Sequence, residues 1–83
     1  MSYYTEERLI SSPKAVAVTP SDTTNLSFDA RAIYVGTAGN VVVVFPDNST
    51  VTFSGVPAGS ILPVIAKRIN STNTTASNIV ALY

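Results

Sequence analysis

Thr50 to Phe53 alternates strictly, with Thr50 and Thr52 on one side and Val51 and Phe53 on the other. A period of two is the mark of a strand with one buried face. Similar runs predict strands at Lys14–Thr19, Ala32–Val35, Val41–Phe45, Ile61–Ile69 and Asn78–Tyr83. Pro13 and Pro20 flank the first of these, and Pro63 near the start of the fifth marks an edge position or a bulge. The polar stretches PSDTTNLS (20–27) and NSTNTT (70–75) read as loops, and SGVPAGS (54–60) as a tight one.

Two short turns punctuate the middle of the chain. Pro46-Asp47-Asn48-Ser49 has Pro at a favoured turn position and an Asp-Asn pair that tolerates a left-handed backbone. In GTAGN (36–40), Gly36 and Gly39 suit the positive φ of a hairpin turn. Short turns join antiparallel neighbours, so the second, third and fourth strands are expected to form a meander. No long segment has helical periodicity. The pattern predicts an all-β fold, a small antiparallel sandwich or barrel of about six strands.

Val41 to Phe45 breaks the alternation, because both of its faces are apolar. A strand apolar on both faces needs two covers. A second sheet supplies one. The other is expected to be the N-terminal arm or a second subunit, with Val42 and Val44 as interface residues.

Residues 1–13 stand apart as an arm, and residues 14–83 as a single β domain. The arm carries apolar anchors at Tyr3, Tyr4, Leu9 and Ile10, and Thr5 is a candidate helix cap before Glu6, Glu7 and Arg8. It reads either as a loosely held tail or as a docking element for a neighbouring subunit or partner. With its charges and no apolar core it is not a signal peptide. The longest unbroken apolar runs, Val41 to Phe45 among them, are far below the ~20 residues of a membrane span.

Size and composition sharpen the need for partners. A domain of 83 residues buries only about 60–65% of its unfolded surface. Small scaffolds add disulfides, a metal or oligomerisation. Cysteine and histidine are both absent, which removes disulfides and the usual zinc ligands and leaves oligomerisation. Charged residues are 12% of the chain, against roughly 25% in an average soluble domain. Five acids balance five bases, which disfavours nucleic-acid binding.

Candidate chemistry is sparse. Without His or Cys the usual nucleophile pairs cannot exist. Asp29 and Asp47 read as backbone caps rather than a catalytic carboxylate pair. GTAGN lacks the Lys and following helix of a phosphate loop, and DTTN (22–25) has too few carboxylates for calcium. The Asn-x-Ser/Thr triplets at Asn25, Asn48, Asn70 and Asn73 read as turn chemistry. Lys67 and Arg68 are adjacent on a strand and therefore point to opposite faces.

RAIYVGTAGNV (31–41), VTFSGVPAGSILPVIAKRI (51–69), the TTA at 74–76 and IVALY (79–83) together carry a resemblance. In order and spacing the chain resembles, over residues 27–83, the small head-spike base proteins of phage-like gene transfer agents, relatives of which occur in tailed phages. It departs at Asp47-Asn48, where that pattern has Asp-Gly, and residues 1–13 have no counterpart.

The resemblance implies a non-enzymatic virion protein without a cofactor. It implies a protein made in the bacterial host cytoplasm and bound outside the capsid as a symmetric ring at the five-fold vertices. Its implied partners are its own copies, favouring a pentamer over a trimer, the major capsid protein, and a spike or fibre protein. Gly36, Gly39, Pro57, Gly59 and Pro63 would be turn and edge determinants. Two alternatives compete. One is a decoration or cement protein at three-fold or hexamer positions. The other is a carbohydrate-binding module using Tyr34 or Tyr83, which a chain without tryptophan serves poorly.

Overall fold

The computed structural model describes residues 14–83. They form seven strands: β1 Ala15–Ala17, β2 Ala32–Thr37, β3 Gly39–Val44, β4 Thr50–Val56, β5 Ser60–Leu62, β6 Arg68–Ile69 and β7 Ser77–Leu82. The strands pack as a sandwich. One sheet has the order β1-β7-β2-β5, the other the order β4-β3-β6, and every pairing is antiparallel.

The expected meander holds only in part. β3 and β4 form a hairpin through the 46–49 turn, where the Phe45 carbonyl accepts from Asn48 N and Phe45 N donates to Ser49 O, each at 2.8 Å. Asn48 takes the left-handed backbone that the Asp-Asn pair allows, at φ 70°. β2 and β3, however, do not pair. Ala38 alone separates them, and the chain crosses there from one sheet to the other.

The glycines of GTAGN therefore serve close approach and not a hairpin. Gly39 does have positive φ, at 158°, and Gly36 does not. A Cβ on it would meet Asn78 Cβ and O at 2.8 Å, and one on Gly39 would meet Ala76 N at 2.5 Å. Gly36 lies against β7 itself and Gly39 against the residues just before it, where no side chain fits.

The long strand expected over Ile61–Ile69 is two short ones. Pro63 has no N–H to donate and follows directly on β5. β5 pairs with β2 alone, so it is the edge strand that the proline signalled. The chain then crosses to the other sheet, held on the way by paired bonds between Ala30 and Ala66 at 2.9 and 3.0 Å. Gly59 does adopt positive φ, at 80°, in the turn that opens with Pro57.

Inward positions of both sheets meet in one core: Ile33, Val35, Ile79 and Ala81 from the larger sheet, Val41, Val43, Val56 and Ile69 from the smaller. All are aliphatic, which suits a thin core between two short sheets. Partly buried Phe45, Phe53 and Tyr83 pack against it. Among the described residues no polar side chain is buried. β4 is an outer strand and carries a bulge: Gly39 faces Val56 and Val41 faces Phe53, which leaves an extra residue in β4 beside Gly55 at φ 64°.

Candidate interaction surface

Val42 and Val44, the expected interface residues of β3, are nearly covered within the chain, 5% and 3% exposed. Register explains it. Val42 sits opposite Thr52, and Val44 lies between Thr50 and Arg68, so these side chains share one face. Arg68 is held there, with Nε donating to Asn70 Oδ1 at 2.9 Å and Nη1 to Asn25 Oδ1 at 3.1 Å. A partner would remove little further area from either valine. The other expected interface residues, Tyr3, Tyr4, Leu9 and Ile10, lie outside the described residues.

The apolar surface that the sequence reading missed is the outer face of the larger sheet. One row across it runs Ala17, Val80, Tyr34, Ile61, and the next runs Ala15, Leu82, Ala32. None of these residues belongs to the core cluster. Ile61 is 46% exposed and Tyr34 36%, while Ala15 and Ala17 are exposed and Val80 and Leu82 half-buried. No residue in either row is charged or polar, Tyr34 hydroxyl apart. The outer face of an antiparallel sandwich is ordinarily its polar one. The signal was in the sequence: Ile79, Val80, Ala81, Leu82 and Tyr83 are apolar at both parities, as are Val41 to Phe45.

At one end of this face the two termini of the described chain meet. Tyr83 N donates to Lys14 O at 2.8 Å, and Arg31 Nε donates to Tyr83 O at 2.6 Å. The Phe28 and Tyr83 rings stand edge to face with centroids 6.4 Å apart, and Lys14 Nζ lies 5.9 Å from each. A cation over ring faces at that distance is attracted by their quadrupoles. Phe28 is 67% exposed.

The carboxylates act as loop fasteners. Asp22 Oδ1 accepts from Ser71 N and Thr72 N, both at 3.0 Å, and its Oδ2 accepts from the Thr72 hydroxyl. These bonds, led by the Thr72 hydroxyl, hold the Asp22 carboxyl below the usual carboxylate range. Asp47 accepts from Ser49 Oγ at 2.6 Å and Ser49 N at 3.0 Å, with the same direction of shift led by the hydroxyl. Asp47 is the backbone cap that its turn position suggested, and Asp22, which the sequence did not single out as a cap, plays the same part for the 71–72 loop. Arg68 and Lys67 diverge as expected, Lys67 Nζ reaching the Asn48 side chain in the β3–β4 turn. Among the described residues no three potential metal ligands cluster.

No family model and no curated protein matches the chain. Among solved structures, it is similar to a chain in a structure described as the capsid of a native GTA particle computed with C5 symmetry, GTA being gene transfer agent. The two are 38% identical, with a TM-score of 0.81 over 88% of this chain and 84% of that one. The chain belongs to the family of that capsid protein.

Proposed function

We propose that this protein is a non-enzymatic structural component of a phage-like particle, bound to the capsid exterior at the five-fold vertices as a homopentameric base for a spike. The observation that carries the reading is the 38% identity to a chain of a gene transfer agent capsid solved with five-fold symmetry. The head-spike base resemblance over residues 27–83 points the same way. So does the charge-poor composition, 12% Asp, Glu, Lys and Arg, which protects a free chain poorly against self-association.

Native mass spectrometry of the purified chain at low micromolar concentration tests the subunit count. A pentamer supports the vertex ring. A trimer supports a decoration protein at three-fold positions instead. Co-sedimentation with heads lacking the protein tests attachment, and a chain that stays in the supernatant counts against a capsid role of either kind.

A further inference from the structure

The sandwich has four outer strands, and their free edges are not alike. The edge of β6 is taken up by the 20–27 loop, where Ser21 N donates to Ile69 O and Leu26 N to Lys67 O, both at 2.9 Å. β1 and β5 are three residues long, and Pro63 follows β5 directly. Short strands and prolines blunt an edge against pairing. β4 is seven residues long and holds neither a proline nor a charge. Among the described residues, Thr50 to Ser54 have no backbone bond outside the pairing with β3.

We infer that this edge is a contact between two copies of the chain, with β4 antiparallel to β4 of the second copy about a two-fold axis at Thr52. Copies in a five-fold ring meet through unlike surfaces, so this contact is additional to such a ring and stands whether or not the vertex reading holds.

The direction of the backbone groups is the first argument. Val42 O accepts from Asn70 N at 3.0 Å and Val44 O from Lys67 N at 2.8 Å, so these two residues turn their backbone groups towards β6. Val41 and Val43, alternating with them, turn theirs towards β4, where they face Phe53 and Val51. By the same alternation the N–H and C=O of Thr50 and Thr52 point away from β3, out of the sheet edge. The bulge lies beyond Phe53, so the ladder from Thr50 to Phe53 is regular.

A misplaced apolar side chain is the second. Val51 stands opposite Val43, which is fully buried, so both belong to the inward face. Val51 is nevertheless 44% exposed, while Phe53 beside it packs against the core. The inward face of β4 lacks a lateral neighbour.

Self-complementarity is the third and selects a second copy as the occupant. With the axis at Thr52, Thr52 faces Thr52 of the other copy, Val51 faces Phe53, and Thr50 faces Ser54. Hydroxyl with hydroxyl and β-branched with aromatic are favourable cross-strand pairs. The outward backbone groups of Thr52 meet their own kind in the bonded register. No charge in β4 meets a like charge across the axis.

The chain has no cysteine of its own, so Thr52→Cys reports the axis directly. Residues opposed in a bonded antiparallel pair have Cα atoms about 5.5 Å apart, within disulfide range. Full-length Thr52→Cys in a mild glutathione redox buffer is expected to accumulate as a covalent dimer. Thr50→Cys is expected to stay uncoupled, because its two copies would stand more than ~13 Å apart along the strands. Charge supplies a second reading. Thr52 is exposed, so a Lys or Glu there leaves the fold intact. Thr52→Lys alone and Thr52→Glu alone are each expected to weaken self-association about tenfold in sedimentation velocity, and an equimolar mixture to restore it. A residue that does not face its own copy gains nothing from the mixture.

Equal cross-linking at positions 50 and 52, or no recovery in the mixture, would overturn the inference. Pentamers by native mass without Thr52→Cys dimers would overturn it and leave the vertex reading intact. Thr52→Cys dimers in a chain that forms no pentamer would support it against the vertex reading. Dimers that form only after residues 1–12 are deleted would mean that the intact chain fills its own edge, and would overturn it too.

Discussion

Gly39 lies so close against Ala76 that a Cβ added to it would stand 2.5 Å from the Ala76 nitrogen and 2.8 Å from its Cα. The obstacle is backbone, which cannot swing aside. Asn40 then stitches the same place together. Its carbonyl accepts from Thr75 N at 2.9 Å and Ala76 N at 3.1 Å, its amide donates to Thr75 Oγ1 at 2.8 Å, and its Oδ1 accepts from Gly55 N at 2.9 Å. This is the corner where the chain changes sheets. Gly39→Ala is expected to cost about 2–4 kcal/mol, in the range of strained or overpacked core positions. Urea unfolding checks it. Gly59→Ala meets no neighbouring atom and only has to hold its φ of 80°, so its cost is expected nearer 1–2 kcal/mol.

The two faces of β2 and β5 should answer differently to truncation. Ile33 is fully buried between the sheets, and Ile61 of the adjacent strand is 46% exposed on the outer face. Ile33→Ala leaves a cavity and is expected to cost about 2–5 kcal/mol. Ile61→Ala in a chain lacking residues 1–12 is expected to change stability by no more than about 0.5 kcal/mol, as for surface sites. Equal losses at the two positions would mean that the face assignment is inverted.

Acid should loosen the loops that Asp22 and Asp47 fasten. Both carboxyls are held below their ordinary value of 3.8 by hydroxyl and amide donors. A carboxyl with a lowered folded pKa binds protons more weakly than in the unfolded chain, so the stability it contributes is complete above 3.8 and drains away as pH falls through the lowered value. The wild-type melting temperature is thus expected to drop below pH 3.8. Asp22→Asn/Asp47→Asn should melt lower at neutral pH and show a shallower acid dependence. An unchanged acid slope would assign the effect to other groups.

Asn48 offers a milder test. Its φ of 70° suits glycine as well as asparagine. Asn48→Gly is expected to stay within about 0.5 kcal/mol of wild type, with its contact to Lys67 lost at the surface. Asn48→Val has to hold a branched side chain in the left-handed region and is expected to lose about 1–2 kcal/mol. Thermal melts of the pair decide whether backbone conformation or the side-chain contact governs this turn.

Features set by neighbours in sequence were legible from the residues. The Asp47-Asn48 turn declares itself because its side chains bond their own backbone, and Pro63 marks an edge because it lacks an N–H. The alternation Thr50 to Phe53 reports a strand correctly and its burial only in part, since Phe53 packs against the core while Val51 is 44% exposed. The crossing at Ala38 was not legible. A glycine-bearing link between two strands looks the same whether they pair or separate. What decides here is the contact of Gly36 and Gly39 with residues 76–78, some forty positions away. Which strand shows a second apolar face to solvent was hidden for a related reason. Apolar residues at both parities occur in β3 and in β7, and only register shows which of the two strands has threonines and an arginine beside it.

β7 follows the other six described strands and yet lies inside its sheet, between β1 and β2. Among the described strands, β1 pairs with β7 alone. During synthesis the smaller sheet has all three of its strands once Ile69 has left the ribosome, while β1 waits for β7 until residues 77–82 emerge. The larger sheet therefore closes later than the smaller one, and a product cut short before β7 keeps unpaired strand edges that favour association with other chains.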